Sequence, residues 1–211
     1  MVKLLENLSV YSVLLPLFTG LVFWKIQDAN ARIMVVMLAF ASVSQVFGSK
    51  SQDHKFLIYN LYSVMDILFW SILMLRNITL KISRVIIQSL FLFFMLYASL
   101  LFYRKGINQD FYTDLVSLDL IILVIFVLIY FIEKYKSGKN IELKKEPMFW
   151  FCMGELIYAP CTYLLFSTRH FISGKEFNSI WPYHHIFNII LYLLTTIGFL
   201  THVKKIALFK K

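Results

Sequence analysis

The chain alternates seven times between a long apolar run and a short polar stretch. The runs cover residues 8–24, 33–47, 56–75, 85–103, 111–132, 147–168 and 180–203. About 20 mostly apolar residues in a helix cross the hydrocarbon core of a bilayer, and most of these runs are close to that length. The second is the shortest. Polar or helix-starting residues mark the ends: Lys25, Gly48 with Lys50, Arg76, Arg104, Glu133, and Lys204 with Lys205, while Pro147 is well placed to open the sixth run. The pattern predicts an all-α, polytopic membrane protein, a seven-transmembrane-helix bundle. The connections are short, so successive helices are expected to run antiparallel. The longest covers 134–146, so the reading is a single transmembrane domain over 1–211 with no soluble catalytic or DNA-binding appendage.

Composition narrows the alternatives. Hydrophobic residues make up 59% of the chain, charged residues 16%, and the mean hydropathy is +0.70. A soluble globule has too little polar surface to hide that much apolar material, whereas a bilayer solvates it. The net charge of +9 sits in the short loops and not along one helix face, so it reads as a topology signal and no nucleic-acid partner is expected. Cys152 and Cys161 lie nine residues apart on one expected helix, roughly 13 Å along its axis, too far for a disulfide. Glu6 follows Lys3 closely and no small-x-small site closes the first run, so that run is expected to be a retained helix and not a signal peptide.

Lysine and arginine set the orientation. One side carries fourteen, in the stretches around Lys25 and Arg32, Arg76 to Arg84, Lys134 to Lys145, and Lys204 to Lys211; the other carries seven, Lys3, Lys50, Lys55, Arg104, Lys105, Arg169 and Lys175. The richer side is expected to be cytoplasmic. With an odd number of spans the N-terminus is then outside, the C-terminus in the cytoplasm, and the protein a multi-pass component of a cell inner membrane.

Charged side chains at membrane depth are costly and usually face the bundle interior. Asp66 in the third run, Asp119 in the fifth and Glu155 in the sixth qualify, and the seventh adds His184, His185 and Asn188. Tyr62 and Asp66 share a helix face, as do His184 and Asn188, because each pair is four residues apart. Under the orientation above, Asp66, Asp119, His184 and Asn188 fall about 6 to 15 Å below the outer surface. They are expected to line one polar cavity in the outer half, with Pro160 kinking the sixth helix at a similar level. The bland alternative is interhelical hydrogen bonding at about 0.6 kcal/mol each, and it is the expected role of Asn60, Ser63 and Asn188 taken singly. His54, His170 and His202 fall near the interfaces and read as solvated. Phe91, Phe93 and Phe94 read as lipid-facing bulk.

Several chemistries lack their residues. A retinal protein needs a lysine inside the last helix, where Lys204 comes only at the end. A metal-dependent intramembrane lipid hydrolase needs several converging ligands; it stands as a rival reading, with His184, Asp66 and Asp119 as its weakly signalled site. Adjacent His184 and His185 point about 100° apart, so no metal and no cofactor is expected. There is no GxSxG, Walker or CxxC motif. Ser63, His184 and Asp119 form a Ser/His/Asp triple, but any polar bundle offers one. A small transporter finds faint support in a repeat at an offset of 122 residues, Tyr62 and Asp66 against His184 and Asn188. The balance leans away from an enzyme.

Three stretches, 58–66 (IYNLYSVMD), 149–151 (FWF) through Tyr158, and 180–190 (IWPYHHIFNII), resemble a family of small, largely uncharacterised seven-helix integral membrane proteins common in Bacteroidota. In similar proteins the position of Asp66 is more often Glu, and the His-x-x-x-Asn of the last helix recurs. Such genes often lie beside sensor kinases or LytTR-type regulators, which implies an accessory or sensory role in a bacterial membrane. The combined expectation is a receptor-like signalling partner, embedded among membrane lipids, that binds a small molecule or lipid through Tyr62, Asp66, Asp119, Glu155, His184, His185 and Asn188. A sensor kinase or other membrane protein is its expected partner.

The charge asymmetry makes a direct prediction. Reporter fusions after Lys139 and Lys211 will report cytoplasm, and fusions at Gly106 and Gly174 the outside. Lys139 and Gly174 on the same side contradicts the span count between them.

Overall fold

The computed structural model describes residues 2–50, 54–136, 142–168 and 174–209. Helix takes up 91% of these, and none is in a strand. The helices are α1 (Val2–Ser12), α2 (Leu14–Val22), α3 (Ala29–Lys50), α4 (Lys55–Asn77), α5 (Lys81–Lys105), α6 (Thr113–Lys136), α7 (Pro147–Thr168) and α8 (Gly174–Phe209), with short 3-10 turns at Trp24–Ile26 and Leu143–Lys145. Among the described residues, seven stretches are long and apolar enough to cross a membrane: Lys3–Val22, Ala29–Gly48, Lys55–Asn77, Lys81–Lys105, Thr113–Lys136, Pro147–Thr168 and Ser179–Val203. Each overlaps one of the seven apolar runs. This is the architecture of a multi-pass membrane protein.

The element ends differ from the hydropathy reading for local reasons. The first span is two helices, because the ring of Pro16 removes an N–H and crowds the carbonyl four residues earlier, at Ser12, next to the break at Val13. The second span begins earlier than residue 33. Asp28 accepts a hydrogen bond from the Ala31 N–H at 2.8 Å and caps α3, drawing Asn30 and Arg32 into the helix. The fifth begins at Thr113, since Phe111 and Tyr112 belong to the preceding turn. The helix of the last span runs from Gly174 to Phe209 and carries Pro182 within it. Its polar first turns continue a helix that hydropathy alone does not register.

The chain divides into two compact units, Met1–Ser42 with Lys139–Lys211, and Val43–Gly138, so the boundary falls within α3. In the first unit α8 packs against α7, α1 and α2. Successive contacts run in opposite order along α7 and α8: Phe151 meets Phe199 with ring centroids 5.2 Å apart, Gly154 meets Leu191, and Phe166 meets Trp181. The two helices are antiparallel. Gly154 and Gly198 let them approach closely. A Cβ at 154 would stand 2.9 Å from Leu191 Cδ1, and one at 198 would stand 3.1 Å from the Pro147 carbonyl oxygen and collide with the Phe151 ring. Small residues at the contact are the usual device where water supplies no drive to associate. His202 corrects the sequence reading. It is buried, not solvated, with Nε2 3.0 Å from the Ile26 carbonyl oxygen and Nδ1 3.8 Å from Asp28 Oδ2. The turn after α2 folds back onto α8, and hydropathy carries no trace of that. His170 lies outside the described residues.

In the second unit α4 packs against α5 and α6, and α5 against α6. Asn60 clamps the α5–α6 turn: its Nδ2 donates to the carbonyls of Ile107 and Asp110, both at 2.9 Å, and its Oδ1 accepts from the Tyr112 N–H at 3.4 Å. Gly106 ends α5 at φ 77, a backbone region open to glycine. The Tyr112 hydroxyl donates to the Gly106 carbonyl. Burial, helped by the nearby Asp110 charge, pushes the Tyr112 phenol above its usual range. At the other end Glu133 of α6 accepts from the N–H groups of Thr79 and Leu80 and from the Thr79 hydroxyl. It so caps the start of α5, where a negative charge is favoured. Phe94 is a second correction. It is fully buried, while Phe93 is 54% exposed, because the α5 face toward α4 and α6 includes position 94.

Replacing Gly198 with Val will cost about 1–3 kcal/mol, read as a lower thermal midpoint in detergent. Leu200→Ala, on the exposed face of α8, will change it little. Equal midpoints for wild type and Gly198→Val contradict the close α7–α8 contact.

Candidate functional site

Polar residues gather at two places, one in each unit. In the first unit they line the contact between α7 and α8. Tyr158, Thr162 and Phe166 are spaced four apart and form a strip on one face of α7. His184 on α8 touches both outer members, with centroid separations of 5.8 Å to Tyr158 and 6.4 Å to Phe166. Thr162 lies between these two residues along the α7 strip. Trp181 stacks on the same imidazole at 4.7 Å and 26° and meets Phe166 edge-on at 5.7 Å. His184 is thus held among aromatic rings in geometries such rings favour.

Thr162 Oγ1 and His184 Nδ1 are buried at this contact without a hydrogen-bond partner among the described residues. Thr162 is 1% exposed. A threonine within a helix commonly donates to the carbonyl four residues back, as Thr195 and Thr196 do here; Thr162 does not. Pro160 and Pro182 lie inside α7 and α8. Each removes one helical N–H, so the carbonyls of Leu156 and Asn178 lose their usual donors.

The other residues expected in this unit are placed nearby. Glu155 is buried on α7, three residues before Tyr158. His185 is buried and meets Trp181 edge-on at 6.2 Å, and Glu6 of α1 is near enough to act on it electrostatically. Asn188 Nδ2 donates to Ser9 Oγ at 2.9 Å and more weakly to the Ser9 carbonyl at 3.4 Å. Both residues are buried, so this bond ties α8 to α1 and fills the interhelical role expected of Asn188 alone.

In the second unit Asp66, Asp119 and Asn60 are buried, and Tyr62 hydrogen-bonds to Asp66 from one turn earlier on α4. Two anchors show that α4 and α6 run parallel. Asn60 meets Tyr112, 52 residues on, and Thr79 meets Glu133, 54 residues on. Asp66 and Asp119 are 53 residues apart in sequence, so they sit at the same height on two packed helices. Sequence spacing alone does not supply that register.

The seven expected site residues thus fall into two sets: Glu155, His184, His185 and Asn188 in one unit, and Tyr62, Asp66 and Asp119 in the other. Sequence pattern does not mark Thr162, Phe166, Trp181 or Ser9 as site residues. The spacing of Thr162 from Tyr158 and Phe166 was the available signal, but a lone threonine in an apolar run has no marked pattern. His184 and His185 have ring centroids 5.7 Å apart at 58°. Among the described residues no group of three or more His, Cys, Asp or Glu is arranged to hold a metal ion. Comparisons with protein-family models, with curated proteins and with solved structures find no match.

The Ser9–Asn188 bond is expected to be a modest tie. A double-mutant cycle with Ser9→Ala and Asn188→Leu, read by unfolding in detergent, will give a coupling of about 0.6 kcal/mol. Zero coupling contradicts the role assigned to Asn188.

Proposed function

We propose that this multi-pass membrane protein is a receptor or signalling partner that binds a small molecule or lipid at the α7–α8 contact around His184. One observation carries the reading: His184 is held between aromatic rings while its Nδ1, and the Thr162 hydroxyl on the helix packed against it, stay buried and unbonded. Interhelical hydrogen bonding accounts for Asn60 and Asn188, whose bonds are made. It does not account for two buried polar atoms left open, each costing about 1–3 kcal/mol. Under the orientation set by the loop charges, this level belongs to the outer half of an inner membrane, with the N-terminus outside. The lysine-rich loops then face the cytoplasm, where a sensor kinase or other membrane protein would meet them. The resemblance to small seven-helix proteins of Bacteroidota suits such a role.

A second reading, a small transporter, is favoured by the buried Asp66 and Asp119 at one height on α4 and α6. Intramembrane carboxyls of this kind serve proton relays elsewhere.

The test screens purified protein in nanodiscs against a panel of phospholipids and small metabolites, with thermal stabilisation as the readout. Under the receptor reading, His184→Gln keeps the unliganded midpoint within a few degrees and loses at least tenfold in affinity for whatever stabilises wild type. A panel in which nothing binds, or in which His184→Gln binds like wild type, overturns it. The transporter reading instead expects uptake into proteoliposomes under a pH gradient, abolished by Asp66→Asn.

A further inference from the structure

The open polar atoms at the α7–α8 contact constrain what binds there. Thr162 is six residues from the end of α7 at Thr168, and His184 is five residues into the span that begins at Ser179. At 1.5 Å per residue both lie roughly 8–9 Å below the same end of their spans. They therefore share one level, within the apolar layer, where a charged ligand is costly and a neutral one is not. A hydroxyl donates and accepts, and a neutral imidazole nitrogen does one or the other according to tautomer. A single ligand oxygen placed between Thr162 Oγ1 and His184 Nδ1 satisfies both. The walls are the rings of Tyr158, Phe166 and Trp181, set 5.8, 6.4 and 4.7 Å from the imidazole. Such rings offer faces and edges to another flat ring. They hold no fixed charge for an ionic ligand.

We infer that the α7–α8 contact binds a neutral, flat-ringed lipophile through one hydroxyl or carbonyl oxygen, of the phenol or quinone class, held between Thr162 and His184. The inference rests on the receptor reading and narrows it. The ligand reaches the site from the bilayer, where molecules of this class partition. Binding completes the hydrogen bonding that the two helices leave open, and so tightens α7 against α8.

The experiment titrates nanodisc-embedded protein with 4-propylphenol. Its methyl isostere, 1-methyl-4-propylbenzene, and the anion 4-propylbenzoate are run in parallel, and empty nanodiscs give the partitioning baseline. Wild type is expected to bind the phenol saturably, at least tenfold tighter than the isostere, and to show no saturable binding of the anion. Thr162→Val and His184→Phe are each expected to erase that preference, so that phenol and isostere bind alike; Phe93→Ala, on the exposed face of α5, keeps it. Should either site variant fail to fold, the phenol-to-isostere ratio on wild type still decides. The proposal is overturned if the isostere or the anion binds as well as the phenol, if the preference survives either substitution, or if none of the three binds. If the phenol fails while another member of the lipid and metabolite panel binds through His184, the ligand class falls and the receptor reading stands. If nothing binds in either screen, both fall.

Discussion

The bilayer core offers no hydrogen-bond partners to a main chain, and that constraint shapes every other feature here. Each crossing segment has to satisfy its own backbone, which leaves the helix as the form for a single apolar run of about 20 residues. Departures from regular helix then become informative. They are expected where proline removes a donor: at Pro16, next to the division of the first span into α1 and α2, and at Pro160 and Pro182 inside α7 and α8. The second pair borders the aromatic and histidine contact. A helix that gives up part of its ladder gains local freedom to accept a group from outside it.

Within each unit the helices are held by few devices. In the first, Gly154 and Gly198 bring α7 and α8 close enough for Leu191 and Phe151 to seat directly on backbone. In the second, polar clamps act at both ends of α4: Asn60 holds the turn before α6, and Glu133 closes the start of α5 beside Thr79. Those clamps also fix the register of α4 against α6, and so set Asp66 level with Asp119. The membrane raises the cost of an unmade polar contact, so each clamp also discourages sliding by a turn.

This separates two kinds of intramembrane polar residue. Asn60, Asn188 and His202 spend their hydrogen-bonding capacity on neighbouring helices or turns. Thr162 and His184 keep a buried atom in reserve at one contact. Residue type does not distinguish the groups, since a histidine occurs in each. What distinguishes them is whether another part of the chain reaches the polar atom, and that is a property of packing.

The sequence by itself determined the seven spans, their approximate ends, and that the carboxylates within them had to be buried. A run of apolar residues as long as a bilayer is thick has one stable backbone form, and an acidic residue inside it has few places to face. It also pointed to Asp66, Glu155 and His184 on those grounds alone. Only the tertiary structure decided which polar residues meet. Helical periodicity assigns a face to a residue but says nothing about the rotation, register or partner of the helix it faces. Thr162 became notable only once Tyr158 and Phe166 were both found against His184, and His202 left the solvated class only because the turn after α2 folds back onto it. Long-range contacts of this kind depend on side-chain shapes on two helices at once, and a single pattern along one chain does not encode them.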